Sequence, residues 1–481
     1  MLELVLSLSS GAVGGLLAAV IAKTARRFRN IIVLVFSALG TAFSWRVAGL
    51  VFSGKAPGIA GEIAGLTWRL EPDPLGAVFA VIASTLWFFA TVYSLGYMDK
   101  KEHLPTYYAF FLIAQTATLG VAYSGNLAAL YFFYELLTLT TYPLVIHLRS
   151  PEAMKAGTKY ILYSLSGAGA ILIAIVITYN LTGSLHFGGG PILAGSTAAG
   201  LNWLLALFIV GFGVKAAIIP LHRWLPAAMV APTPVSALLH AVAVVYSGVY
   251  GILRVVYSVF GRELMGNLSL ARALPWVASF TILVGVIIAT QQDVLKRRLA
   301  YHTISQLSYI LLGAFTLQPW GLTGAILHMI SYSTLKITLF FCAGIIAEQT
   351  GEVNISRMDG VGWSLPKTMT AFGVASLGMV GMLPLNTFWS KYHLMRGGVA
   401  AGSWPLALVL IGSGIINAVC FIPTVVLSFK GEQKEHPPAE KGIGLAFMLV
   451  PTLLLAGIAI LIGLWPGIVW QGVQGVVDWF F

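Results

Sequence analysis

The stretch Leu207-Phe-Ile-Val-Gly-Phe-Gly-Val-Lys215-Ala-Ala-Ile-Ile-Pro220-Leu-His222-Arg-Trp-Leu-Pro226 places a lysine in a long apolar run shortly before a proline. A lysine at the centre of a bilayer-spanning helix costs roughly 2.5–3.5 kcal/mol on insertion scales. Proline removes a helix hydrogen bond and kinks or breaks the helix. In hydrocarbon such a break is tolerated where it is buried in protein or lines a water-filled space. A second stretch repeats the pattern: Leu377-Gly-Met-Val-Gly-Met-Leu-Pro384-Leu-Asn-Thr-Phe-Trp-Ser-Lys391. Two further charges, Glu135 and Lys336, also sit inside apolar segments. A chain that only had to reside in lipid would carry leucine at these four positions, so they read as an ion or proton path.

The rest of the composition supports a membrane setting. Of 481 residues, 58% are hydrophobic and 9% charged, and the mean hydropathy is +0.87. Soluble domains carry about 25% charged residues. The net charge of +11 does not point to nucleic acid, because the basic residues fall in short loops between apolar runs, which is a topology signal. Cys342 and Cys420 lie far apart inside apolar runs, with no CxxC or Cys/His cluster. No Fe–S cluster, haem, structural zinc or other cofactor is expected.

About 20 apolar residues cross a bilayer. About fourteen such segments occur, near 4–22, 31–53, 74–97, 105–122, 126–147, 157–180, 201–219, 232–256, 274–291, 299–316, 321–347, 368–396, 404–428 and 443–465. The first is too long, and its basic flank is on the wrong side, for a cleaved signal peptide. The tail from Trp465 to Phe481 is expected at the interface or as an extension of the last helix. Basic clusters follow odd-numbered segments: Lys23, Arg26, Arg27 and Arg29; Lys100 and Lys101; Arg149, Lys155 and Lys159; Arg223; Lys296, Arg297 and Arg298; Arg357 and Lys367; and Lys430, Lys434 and Lys441. The positive-inside bias then puts both termini outside the cytoplasm of a prokaryotic cell membrane.

Helices 7 and 12 are the two broken ones. Helices 4–8 and 9–13 form two five-helix units, each with its broken member fourth. Five is odd, so the second unit starts from the opposite face, which is the arithmetic of an inverted repeat. The expected organisation is all-α: helices 1–3 in 1–100, a first repeat in 101–258, a second in 270–430, and helix 14 with the tail in 440–481.

Glu135 has no basic residue within one helical turn, so its partner must come from another helix. It is either a carboxylate paired with Lys215 or a protonated carboxyl bonded to backbone or a hydroxyl. A Glu–Lys pair can act as a switch that holds the lysine's proton when closed and releases it when open; a structural salt bridge is the alternative. His240 enters helix 8. His328, Tyr332 and Lys336 are spaced i, i+4, i+8 and project from one face of helix 11, offering imidazole, phenol and amine in a row. Histidine is suited to relay protons, although a lone histidine in an apolar helix is more often simply packed. Lys391 either lies in the path or snorkels to an interface. The basic residues near Asp293 and Arg149 read as ordinary loop anchors. Gly211-Phe-Gly213 lies mid-membrane with no preceding strand and is not a phosphate loop.

At these residues the chain resembles the antiporter-like membrane subunits shared by respiratory complex I, Mrp-type cation/proton antiporters and membrane-bound energy-converting hydrogenases. The matching stretches are Phe132-Phe-Tyr-Glu135-Leu-Leu-Thr, Lys215 to Ala228, Ala231 to His240, Asp293 to Gln306, and Phe388-Trp-Ser-Lys391. The resemblance implies fourteen helices and two inverted repeats. It also implies a Glu–Lys pair at Glu135 and Lys215, a central lysine at Lys336 and a distal one at Lys391. Two positions depart from the pattern. Tyr246 stands where many relatives have a lysine, so His240, Tyr246 and water would bridge Lys215 to Lys336. Thr387 replaces a common glycine. The chain resembles the shorter members, which lack a long lateral helix. The implied function is proton translocation, or Na⁺/H⁺ exchange, within a larger membrane complex containing further antiporter-like subunits. Any redox chemistry would belong to other subunits. A stand-alone multi-subunit antiporter and a non-conducting structural subunit are the alternatives.

Overall fold

The computed structural model describes all residues except 22–25, 64–65, 100, 198, 431–439 and 441. Lys23, Lys100, Lys434 and Lys441, which contribute to the loop-charge pattern, therefore lie outside the described residues. The described residues are mostly helical. The helices are α1 (Leu2–Ile21), α2 (Arg26–Phe52), α3 (Pro74–Tyr97), α4 (Leu104–Tyr123), α5 (Leu127–Val145), α6 (Pro151–Thr182), α7 (Leu201–Lys215), α8 (Trp224–Ala227), α9 (Thr233–Ala241) and α10 (Val244–Arg254). They continue as α11 (Gly261–Asn267), α12 (Ser269–Thr290), α13 (Leu295–Phe315), α14 (Pro319–Thr350), α15 (Val361–Ser364), α16 (Pro366–Val380), α17 (Thr387–Ala400), α18 (Trp404–Ser428), α19 (Ile443–Leu464) and α20 (Gly467–Phe480).

Every apolar segment marked out above falls on a helix or on a pair of helices separated by a break. Starts are set by local chemistry. Asp73 accepts from Gly76 N at 2.9 Å and Asn126 from Ala129 N at 2.9 Å, each satisfying an orphan amide of the first turn. Pro74 and Pro151 occupy first-turn positions, where a missing N–H costs nothing. Among the described residues, nine helices are long and apolar enough to cross a membrane by length and composition. Large apolar side chains cover the outside, with Val20 73%, Ile415 63% and Trp203 79% exposed. A surface of that kind suits lipid rather than water.

Burial separates centre from rim. The most apolar part of the segment carrying α9 and α10 is 100% buried and that of α14 is 94% buried, against 33% for both α2 and α18. The two most enclosed elements thus carry His240, Tyr246, His328, Tyr332 and Lys336.

Helix 7 breaks after Lys215, through Ala217 at φ +56° and Pro220. Helix 12 breaks between Val380 and Thr387, around Pro384. A third break was not expected: helix 8 is interrupted at Val242 and Ala243, where Leu238 O accepts from both amides, at 3.0 and 2.8 Å. No proline marks it. The run Val242-Ala-Val-Val245 is rich in β-branched residues, which weaken a helix. A π-helical turn over Val255–Phe260 follows.

Two more elements extend the sequence reading. A hairpin, β1 (Ile59–Ile63) with β2 (Leu66–Leu70), pairs antiparallel with Gly61 opposite Trp68. Trp68 stacks edge-on against Phe132 at 5.4 Å, and Asn126 Nδ2 donates to Thr67 O at 2.6 Å. The tail does not extend α19: Pro466 separates α20, which packs on α3 and α14 and buries Val473, Val476 and Val477.

One ion pair ties the N-terminal helices to α10. Arg254, 1% exposed, reaches Asp73 with both guanidinium nitrogens, Nη2 at 2.7 Å from Oδ1, while Nε donates to Tyr250 OH at 3.0 Å. Removing one partner of a buried pair leaves an uncompensated charge and costs about 3–5 kcal/mol. Arg254→Met should therefore lower the unfolding free energy in detergent by about that amount. Arg254→Met with Asp73→Asn should recover most of it, since asparagine still caps α3. A double variant as unstable as the single one would contradict this account.

Candidate functional site

The ammonium of Lys215 closes the last turn of α7 and is fully buried. It donates to Tyr134 O at 2.6 Å and stands 3.3 Å from the centre of the Tyr134 ring. A carbonyl and a π face thus hold the charge. No Glu135 oxygen lies within 4.0 Å of it, so the closed ion pair expected from the sequence is absent. Helix rotation explains the difference. Glu135 shares a face of α5 with Phe132 and Leu139, 48% and 58% exposed, whereas Tyr134 points inward. Glu135 is half-buried near the outer surface of the bundle, and its Oε1 is enclosed without a hydrogen-bond partner.

On α14 the expected row is present. His328 and Tyr332 stack at 5.8 Å, and Lys336 Nζ lies 5.7 Å from the Tyr332 ring. Tyr309 of α13 also stacks on His328, at 5.1 Å, and His328 Nδ1 is 2.9 Å from Ser390 Oγ. Lys391 does not snorkel. It is 7% exposed and donates to Met379 O and Val380 O, each at 2.8 Å. These carbonyls end α16 at the break, where helix carbonyls lack intrahelical partners and the dipole is negative.

The helix 8 residues lie between the lysines without joining them. His240 is fully buried with both ring nitrogens unpartnered, 5.3 Å from the Phe340 ring. Tyr246 donates to Met329 O at 3.0 Å and meets Tyr332 edge-on at 6.5 Å. No continuous chain of hydrogen bonds runs from Lys215 to Lys336 among the described residues. Gly248 of α10 abuts the first break: a Cβ there would lie 2.7 Å from Phe212 O and 2.8 Å from Lys215 C. At the second break Gly463 of α19 does the same to Pro384 and Leu385, and Trp389 Nε1 donates to Gly463 O at 2.8 Å.

Sequence reasoning missed His302 and Asn417 as site residues. His302 Nδ1 is 3.2 Å from Lys336 Nζ, and its Nε2 is 3.1 Å from Asn417 Oδ1. His302 lay inside a stretch read only for its resemblance. Asn417 belongs to a polar stripe on α18, Ser413, Asn417, Cys420 and Thr424, at helical spacing. That stripe was the available signal. It meets Tyr309, His302 and Arg298 of α13 in turn, with Arg298 Nη1 2.9 Å from Cys420 O. Arg298 is thus an interhelical tie rather than a plain loop anchor. Gln306 and Asn386 are also buried with both amide atoms unpartnered. Among the described residues, no group of three or more His, Cys, Asp or Glu could hold a metal.

A helical membrane bundle with lysines buried at its helix breaks defines a narrow class. The family described as "NADH:quinone oxidoreductase/Mrp antiporter, TM" matches residues 124–416, and "NADH-Ubiquinone oxidoreductase (complex I), chain 5 N-terminus" matches residues 61–111. NADH-quinone oxidoreductase subunit N of Desulforudis audaxviator is 33% identical over 86% of this chain and 85% of that protein. The Na(+)/H(+) antiporter subunit A1 of Staphylococcus aureus is 30% identical over 84% of this chain but only 53% of its own length. The fold is shared with a chain of the archaeal membrane-bound sulfane sulfur reductase (TM-score 0.87, 22% identity, 99% of this chain and 97% of that one). It is shared also with a chain of the Mrp complex from Dietzia sp. (TM-score 0.86, 21% identity, 99% and 97%). The chain belongs to the NADH:quinone oxidoreductase/Mrp antiporter family of integral membrane subunits.

The close approach at Gly248 gives a direct check. Gly248→Ala should destabilise by about 1–3 kcal/mol, because backbone at Lys215 cannot yield cheaply. Gly373→Ala, inside α16 and with its nearest neighbour 3.8 Å away, should leave stability unchanged or raise it by up to about 1 kcal/mol. Thermal unfolding in detergent compares the two, and equal shifts would refute the packing assignment.

Proposed function

We propose that this chain translocates protons, or exchanges Na⁺ for H⁺, as one subunit of a multi-subunit membrane complex. The path comprises Glu135, Lys215, His240, Tyr246, Tyr332, His328, Lys336 and Lys391, with His302 added beside Lys336. One observation carries the reading. None of the three buried lysines has a carboxylate oxygen within 4.0 Å among the described residues. Their charges rest on neutral acceptors: the carbonyls of Tyr134, Met379 and Val380, and the His302 imidazole. A structural salt bridge would need a carboxylate; a neutral acceptor lets the amine give up its proton without stranding an opposite charge. Glu135, on the outer face of α5, moves between a neighbouring subunit and Lys215, opening and closing the switch.

The arrangement proposed in the membrane has fourteen crossings, with helices 4–8 and 9–13 as inverted repeats. The fourth-place breaks at Pro220 and Pro384 support it. Loop charges support termini outside the cytoplasm of a prokaryotic cell. The partners are other membrane subunits, further antiporter-like ones among them, with redox chemistry supplied elsewhere in the complex. An antiporter without a redox partner is the second reading, favoured by the likeness to the staphylococcal antiporter subunit.

In proteoliposomes of the intact complex, Lys215→Ala, Lys336→Ala and Lys391→Ala should each slow ion flux more than about tenfold, about 1.4 kcal/mol in barrier. Wild-type flux in Lys215→Ala and Lys391→Ala would defeat the proposal. Varying Na⁺ at fixed pH separates the two readings: flux that requires Na⁺ supports exchange, and flux indifferent to it supports proton translocation.

A further inference from the structure

We propose that Asn417 is a positioning residue that fixes the tautomer of His302, so that Nδ1 presents its lone pair to the Lys336 ammonium. The inference rests on the reading that Lys336 exchanges protons. It starts from a group that cannot turn. The Met379 carbonyl is main chain, lies in the last turn of α16, and accepts from Lys391 Nζ at 2.8 Å. Asn417 Nδ2 faces the same oxygen at 3.5 Å. A reversed amide would set Oδ1 against a carbonyl oxygen, acceptor against acceptor. The amide therefore points Oδ1 at His302 Nε2, 3.1 Å away. An amide oxygen only accepts, so Nε2 carries the hydrogen, and in the neutral ring Nδ1 is left as the acceptor. That nitrogen is the one 3.2 Å from Lys336 Nζ. An ammonium only donates, so every polarity along the line agrees.

The ring is also held by its face. Phe421 stands edge-on to His302 at 4.8 Å and 80°, one helical turn beyond Asn417 on α18. Both the edge and the plane of the imidazole are thus set by one helix.

The arrangement serves both sides of the transfer. When an N–H bond of Nζ breaks and one forms on Nδ1, the charge passes from ammonium to imidazolium. Nε2–H still donates to Asn417, and the neutral amine can take the proton back. No amide rotation is required. Asn417 itself carries no transferable proton, so the line His302–Asn417–Met379 transmits orientation. A proton on His302 leaves by Nδ1, the side from which it came. His302 is then a holding site beside Lys336, and the way on to Lys391 starts from Lys336.

The test uses the full chain, ¹⁵N-labelled at histidine and reconstituted in lipid, with His302 resonances assigned by difference against His302→Gln. Wild type should show Nε2 protonated and Nδ1 bare. Asn417→Leu, which offers no acceptor, should lose that preference. Asn417→Asp, which still accepts, should keep it. Asn417→Ala replaces the leucine variant if that one fails to fold. Retention of the Nε2–H form in the leucine or alanine variant overturns the inference, and so does its loss in the aspartate variant. Flux through the intact complex should fall roughly 10-fold or more in Asn417→Leu, by analogy with the roughly 10- to 100-fold losses on removing a partner that orients a metal-ligating histidine. A changed tautomer with wild-type flux would overturn the functional positioning role of Asn417, whereas wild-type flux in Lys336→Ala would instead sink the reading of Lys336 as a proton carrier.

Discussion

In hydrocarbon every backbone amide and carbonyl needs a partner within the protein. A continuous helix meets that demand and leaves nothing over for a buried cation. A broken helix does have carbonyls to spare, and the second break spends two of them on one ammonium: Met379 O and Val380 O hold Lys391. The rest of the site follows from this. The same Met379 carbonyl faces Asn417, and Asn417 faces His302. The break at Pro384 is the origin of a polar line that reaches Lys336 through side chains of α18 and α13.

The first break solves the problem differently. Lys215 ends α7 but leans on the carbonyl and ring of Tyr134, from α5. A lysine tied to a neighbouring helix, and not to the frayed end of its own, responds to the rotation of that neighbour. Glu135 follows Tyr134 in the chain, about 100° further round the helix, at a half-buried position. Any roll of α5 that brings the carboxylate inward carries the tyrosine away from the ammonium.

Much of this was legible from residues 1–481 alone, because apolar runs and prolines act locally. The segments 74–97 and 404–428 coincide with α3 and α18 at both ends, and the spacing of His328, Tyr332 and Lys336 was enough to put them on one face. What escaped depends on packing. The rotation of α5 about its axis decides where Glu135 points, and no local pattern encodes it. The interruption at Val242 has no proline to announce it. The hairpin at Ile59–Leu70 is not marked by any long apolar run, because a strand pair needs only five residues a side. His302 and Asn417 meet across two helices whose adjacency is tertiary, although the α18 stripe at helical spacing was there to be read.

Each of the two proline breaks is closed by a glycine of a neighbouring helix, and the neighbours differ. Gly248 belongs to α10, in a segment whose most apolar part is wholly enclosed, while Gly463 belongs to α19, whose corresponding part is only 50% buried. The first hinge is therefore sealed within the bundle, and its angle is set from inside. The second is braced by a splint on the perimeter. Pressure from an adjoining molecule against α19 would reach the Pro384 break directly, through the backbone of Pro384 and Leu385 and the Trp389 indole bonded to Gly463.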